Sequence, residues 1–407
     1  MSAAPGRPQA SSHRSPQGEG TLVSAASFPA AGDIVIFQPE FVEFGGEERV
    51  ILSLSEGLHA QGLAHSVLCY HDRIDLARQA RLPLNVHALR PPQGGLHRAL
   101  ALRRALLRLR QRGDPVPVLF SIQSALHAGL AGLMGPLAYH LRIPDTYRLL
   151  QAAPSHRARE LLSLRHWGTR RGVRGARAFA TNTQALSDEM RALYGREAQV
   201  FHLGGFGQQP LTQAPTRPMA PIELLSVCRL QTSKRIDWML RGLAAILREP
   251  RGEPPFRLHV AGSGPQAAEL AALSHRLGLD DRVFFHGFVD DEQLAALYRR
   301  SHVFLMPALQ GYGLPAIEAL YRMQGVVLHR DSGVVELLRD TPWVVVTDGG
   351  PAGFTEGMRE MLRRTQAPGF FSRPLPPLPT EQGWGRQLIE AFGWRAAPPP
   401  SAGGLRA

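Results

Sequence analysis

The chain has only two cysteines, Cys69 and Cys228, in 407 residues. Both sit inside apolar, strand-like runs with no CxxC pair or His/Cys cluster beside them. That excludes a disulfide framework and a thiolate metal site and predicts buried free thiols. No run of about twenty apolar residues occurs, so no membrane-spanning helix is expected. The first 30 residues are rich in Pro, Ser, Gly and Ala and lack the compact apolar region of a secretion signal. A cytoplasmic protein is the expectation. There is no GxGxxG, which removes the support for a dinucleotide fingerprint. The 16 histidines are scattered and nothing has metal-ligand spacing, so neither a metal nor another cofactor is expected.

What is present is enough chain for two domains of roughly 150–200 residues. The composition, 44% hydrophobic and 20% charged, is globular, while 33 prolines and 41 glycines leave room for loops and tails. The net charge of +12 comes from arginine, not lysine, and favours phosphate-rich partners such as nucleotides or anionic lipid. No nucleic-acid-binding module accompanies that charge, so no nucleic acid is expected.

Residues 1–32 have no periodicity and read as a disordered tail. A βαβ opening follows: a strand at 34–38, a Gly45-Gly46 turn, a helix at 47–61 and a strand at 66–70. Residues 96–112 form a basic amphipathic helix with Ala99, Leu102, Leu106 and Leu109 on one face. It reads either as an outer helix of an α/β layer or as a peripheral contact with anionic membrane on the inner face. Strands are expected at 116–122, 144–150, 176–182 and 200–210, with helices at 124–141 and after a cap at Asn182 or Thr183. The Gly-, Pro-, Gln- and Thr-rich composition of 204–221 marks a boundary, giving a first domain at 33–208 and a linker at 209–221. From 222 to 380 strands and helices alternate with short links, which means a parallel, doubly wound sheet. A helix at 381–395 and a disordered tail at 396–407 close the chain.

In the second domain the loops after successive strands carry Arg229 with Lys234, then Gly262-Ser263-Gly264-Pro265, then Phe288, then Gln310 to Glu318. In open α/β sheets that edge is where ligands bind. Two cations beside glycine turns and helix N-termini can neutralise a diphosphate, and Glu318, two turns into its helix, can accept hydrogen bonds from a ribose diol. The same residues also suit an ordinary αβ connection when each loop is taken alone; four matching loops favour a sugar-nucleotide site.

These segments resemble the donor domain of GT-B glycosyltransferases of the retaining family 4. SVCRLQTSKRID is similar to that family's RL-x4-KG segment, VAGSGP to its GxGP turn, DRVFFHGFV to its base loop and QGYGLPAIEA to its EGFGxxxxEA box. GGEERVILSLSEGL resembles its acceptor-side glycine loop and helix. The resemblance implies an α/β, GT-B fold of two Rossmann-like, doubly wound domains facing across a cleft. It implies that a sugar is transferred from a nucleoside-diphosphate sugar to a glycan, lipid-linked or small-molecule acceptor without a metal. Arg229 and Lys234 would hold the donor diphosphate, and Gln310 the transferred sugar. Gly262, Gly264, Phe288, Val289, Gly311, Gly313 and Glu318 would form the rest of the donor site, and Gly45 and Gly46 the acceptor and phosphate loop. Three departures stand out. Gln310 replaces the usual first Glu, Arg235 replaces the usual Gly after the lysine, and the glycines and Pro usual before Glu336 are altered. They support an alternative, a catalytically weakened GT-B protein that binds a nucleotide sugar or a partner without turnover.

Overall fold

The computed structural model describes residues 28–144, 156–205 and 209–394, without the side chains of 156–162. Most of the tail expected at 1–32, the strand expected around 144–150 and the tail expected at 396–407 lie outside the described residues.

The strands are β1 (Ile34–Phe37), β2 (Glu40–Phe41), β3 (His65–Cys69), β4 (His71–Asp72), β5 (Asn85–Ala88), β6 (Val118–Phe120), β7 (His140–Ile143), β8 (Phe179–Thr181) and β9 (Gln199–Val200) in the first half. The second half holds β10 (Ile222–Val227), β11 (Phe256–Ala261), β12 (Val283–Gly287), β13 (Val303–Met306), β14 (Gly325–His329) and β15 (Val344–Thr347). Between them run α1 (Gly46–Ala60), α2 (Leu76–Gln79), α3 (Gly95–Gln111), α4 (Ile122–Ala131), α5 (His156–Gly175) and α6 (Gln184–Tyr194), then α7 (Ile236–Arg248), α8 (Ala267–Arg276), α9 (Asp291–Arg300), α10 (Leu314–Tyr321), α11 (Val335–Leu338), α12 (Gly350–Gln366) and α13 (Glu381–Ala391).

Two parallel sheets result, ordered β5-β3-β1-β6-β7-β8-β9 and β12-β11-β10-β13-β14-β15, with β2 and β4 as a small separate pair. In each the order reverses beside the first strand, which opens a crevice at the carboxyl edge. The central strands β1, β6, β13 and β14 are buried along their whole length because helices cover both faces. Ile34 and Ile36 of β1 join one core while Val35 and Phe37 join the other. Local chemistry sets several helix starts. Thr183 Oγ1 accepts from Leu186 N at 3.1 Å to begin α6, and Asp290 and Gln293 cap α9 reciprocally.

The basic helix α3 is an outer helix of the layer. Its Leu102, Leu106 and Leu109 are buried in the first-half core and Ala99 is buried beside them, so that face is not available to a membrane. Several expectations need correction. Residues 28–32 are not tail-like: Phe28 packs on α3, with the Arg108 guanidinium 4.0 Å from its ring centroid, and Arg112 holds the Pro29 carbonyl at 2.8 Å. The helix expected at 124–141 stops at Ala131 and gives way to a tight turn at 132–134, and after 135–139 a strand, β7, begins at His140. The strand expected at 200–210 is only the two residues of β9. Cys69 is fully buried but Cys228 only partly. Among the described residues no helix is long and apolar enough to cross a membrane, and no cluster of metal-ligating side chains occurs.

Helix α13 returns to the first half. Trp394 Nε1 donates to the Val116 carbonyl at 3.2 Å, and Phe392 stacks on His140 with ring centroids 4.6 Å apart.

Candidate functional site

Three loops of the second sheet are laced together at its carboxyl edge. Lys234 ends a tight turn after β10, and its ammonium donates to Gln310 Oε1 at 2.5 Å. It is the only lysine in the chain. Leu309 N donates to the Ser233 carbonyl at 2.9 Å, and Gln310 bridges to Ser332 in the loop after β14. The Gln310 amide nitrogen lies 2.9 Å from Met306 Sδ. The amide is therefore oriented: its oxygen faces the ammonium, and its nitrogen faces the strand end.

Arg235 explains how a side chain fits where the resemblance leads one to expect glycine. Its backbone is left-handed (φ 54°), a conformation glycine adopts without cost and other residues rarely. The side chain turns away along the loop after β14. It donates to Asp331 at 2.7 Å, meets His329 Nδ1 at 3.0 Å, and lies 4.5 Å over the Trp238 ring. Burial pushes the Asp331 carboxyl up, but Arg235 and His329 outweigh it and hold it below the usual range. Arg235 thus clamps the two loops.

Arg229 takes another course. Its guanidinium pairs with Glu43, which precedes the Gly45-Gly46 turn of the first half, and both side chains are exposed. The Gly45 N–H is also occupied, donating to the Glu48 carboxylate at 3.0 Å. Burial raises the Glu48 pKa. Glu318 on α10 is buried, and its carboxylate accepts from the Tyr298 hydroxyl at 3.0 Å. Burial first, then the Glu318 charge, pushes the Tyr298 phenol well above its ordinary range. Gly262, after β11, has a positive φ of 134°, and a Cβ there would fall 1.9 Å from the Cys228 carbonyl; Gly264 follows it in the same turn. Phe288, after β12, is 81% exposed, whereas Val289 packs against the core. Gly311 and Gly313 lead into α10.

Lys234 and Gln310 therefore touch, with Gly311 and Gly313 beside them. Glu318 sits deeper with Tyr298, and Gly45-Gly46 approaches the site through Glu43. Sequence reasoning missed Glu43, Tyr298 and Asp331. Only the unusual Arg235 hinted at the last, since a residue replacing a glycine must send its side chain somewhere. Glu336 joins the halves elsewhere, accepting from Gln184 N at 2.7 Å and Ala185 N at 3.1 Å at the start of α6.

Residues 208–368 match the family model of glycosyl transferases group 1, and residues 44–204 match that of glycosyltransferase family 4. Among curated proteins, a D-inositol 3-phosphate glycosyltransferase of Streptomyces griseus is 32% identical over 223 residues, 52% of this chain and 42% of that protein. The chain spans well under two-thirds of the length of the curated relatives it matches. Among solved structures, a lipopolysaccharide outer core galactosyltransferase aligns over 88% of this chain and 99% of its own, with TM-score 0.64 and 15% identity. The Anabaena protein HepE, in complex with UDP-glucose, aligns over 88% and 95%, with TM-score 0.62 and 17% identity. At such identities the likeness is one of fold.

Proposed function

The chain belongs to the glycosyl transferases group 1, of GT-B fold, and on that premise we propose that it is a retaining glycosyltransferase. It moves a sugar from a nucleoside-diphosphate sugar to a glycan, lipid-linked or small-molecule acceptor. The observation that carries this reading is the contact of Lys234 with Gln310 at the meeting of three strand-end loops.

Breaking the bond between the anomeric carbon and phosphate builds negative charge on the leaving oxygen. A fixed cation there stabilises the transition state more than the ground state. Lys234 holds that position, and Arg229 joins it once the incoming diphosphate draws it from Glu43. Gln310 offers its amide to a hydroxyl of the transferred sugar, Glu318 anchors the ribose, and Phe288 and Val289 line the base. Gly262, Gly264, Gly311 and Gly313 let the backbone approach the donor. The reading calls for no metal, because the two side chains supply the countercharge. The structure of HepE with UDP-glucose supports a nucleotide sugar as donor. The test is incubation with a panel of UDP-, GDP- and ADP-sugars, watching nucleotide release. Slow release from at least one donor is expected, and none from any donor refutes the enzyme.

The alternative, binding without turnover, draws on the neutral amide of Gln310 and on the Glu43 carboxylate that holds Arg229. It predicts nucleotide-sugar affinity with no release. A peripheral membrane contact on the cytoplasmic face is also part of the reading, through Arg103 of the basic helix α3 and the neighbouring turn and α5, not through the buried apolar face of α3. Exposed Leu133, Met134 and Trp167 lie beside Arg103, whose guanidinium holds the Met134 carbonyl at 2.7 Å, and Arg171, which holds Gly132 at 3.0 Å. Sedimentation with anionic vesicles at low salt should pellet the protein; its remaining in the supernatant refutes the contact.

A further inference from the structure

A cavity of about 630 Å³ opens at the carboxyl edge of the first sheet, lined by the segments after β4, β5 and β6 and by α3, α4 and α5. We propose that this cavity is the acceptor subsite and that it selects an acceptor carrying a phosphate group, an inference that rests on the glycosyltransferase reading above. Arg73, Arg98 and Arg165 come to it from three separate segments, and among the described residues no carboxylate lines it.

Arg98 is fixed in place. It pairs with Glu40, and its guanidinium lies 5.6 Å over the Tyr70 ring. Among the described residues neither Arg73 nor Arg165 has an ion-pair partner. Cations gathered in one concave wall repel one another unless an anion sits between them. One guanidinium suffices for a carboxylate, whereas three around one space, one of them offset by Glu40, leave a net charge of about +2 that matches a phosphate monoester, and their donors match its three free oxygens. The first turn of α3 opens on the same cavity and carries no acidic side chain.

A second feature of the wall suits the sugar or polyol part of such an acceptor. The Tyr70 hydroxyl donates to the Arg98 carbonyl at 2.9 Å, so its oxygen is left to accept from His127 Nδ1 at 3.1 Å. That fixes the tautomer and makes His127 Nε2 the lone-pair nitrogen. Burial first, and then the Arg98 and Arg165 charges, lower the His127 pKa to about 4, so the ring stays neutral at pH 7. It can accept a hydrogen bond from an acceptor hydroxyl while the guanidiniums hold the phosphate.

Calorimetry on the purified full chain tests this with two pairs of probes. One pair is glucose 6-phosphate against glucose; the other is phosphatidylcholine vesicles with and without phosphatidic acid. A phosphorylated probe should bind more tightly than its neutral counterpart, and less so as salt rises. Arg73→Ala and Arg165→Ala should each weaken it about tenfold or more, as loss of a charge-assisted hydrogen bond does, while Arg104→Ala on the exposed face of α3 should not. Binding of the sugar phosphate alone identifies a soluble acceptor, and binding of the vesicles alone a lipid-linked one; either supports the proposal. Failure of both phosphorylated probes, or undiminished binding in both Arg73→Ala and Arg165→Ala, overturns it. Protection of Lys234 from amine modification by nucleoside diphosphates, measured on the same samples, separates the two readings. Protection without phosphate selectivity leaves the glycosyltransferase standing and removes this proposal alone, and absence of protection counts against the donor site itself.

Discussion

Lys234→Met removes the chain's only lysine ammonium and keeps most of the side chain's length. In the folded protein the loss includes the charge-assisted hydrogen bond to Gln310 Oε1 at 2.5 Å. For a half-buried pair that is worth about 1.5 kcal/mol, the low end of such bonds. In a chain of this size it lowers the melting temperature by only a few degrees, about 2–4 °C per kcal/mol or less. The effect on turnover is of another order. A cation about 4 Å from a leaving oxygen, at an effective dielectric constant near 20, contributes about 4 kcal/mol. Loss of one such stabilising group costs roughly 100- to 1,000-fold in kcat. The assay is nucleotide release at saturating donor, with a thermal melt of each protein alongside. Lys234→Arg keeps the charge in another geometry and should recover part of the rate. A Lys234→Met protein that melts within a few degrees of the parent and retains kcat within about threefold would refute the role given to this residue.

Glu318→Ala should weaken nucleotide binding about tenfold or more, the worth of a hydrogen-bonded carboxylate, and Tyr298→Phe should weaken it less; an unchanged dissociation constant in Glu318→Ala moves the ribose elsewhere. Glu43→Gln loosens the restraint on Arg229. Because both side chains are exposed the gain is small, at most about fivefold in donor KM and greatest at low salt, and a rise in KM contradicts the competition described here. Burial lowers the pKa of His127, His140 and His302 to about 4. Between pH 6.5 and 4 the unfolded chain therefore holds protons on these rings that the folded chain does not, and stability should fall as the pH is lowered through that window. Chemical denaturation at pH 7, 6 and 5 measures it, and a flat profile removes these three rings from the account.

Strands such as β13 and β14 were legible because short β-branched and apolar runs lie between turn residues, and α6 because Thr183 provides a recognisable cap. The helix at 124–141 was overread because Leu133, Met134 and Leu137 continue its apolar pattern beyond Ala131, while Gly132 and Gly135 end it. Helix α12 was missed because it begins in Gly349, Gly350, Pro351 and Gly353, which read as a loop until the core closes over Phe354 and Met358. In the site, the meeting of Lys234 with Gln310 follows from motifs at strand ends. The pairing of Arg229 with Glu43, 186 positions apart, does not, since it depends on how one half faces the other. Tyr298 was hidden for a similar reason: its hydroxyl reaches Glu318 from the neighbouring helix, and nothing in its own segment marks it.

The course of α13 also has a mechanical consequence. The chain passes from the first half to the second through residues 209–221 and comes back before α13, whose end is seated against β6 and β7 through Trp394 and Phe392. Two covalent tethers side by side act like the two leaves of a door hinge. A pair of tethers of this kind favours opening and closing about one axis over twisting. Cutting the chain before residue 381 would leave both sheets intact and turn that hinge into a swivel.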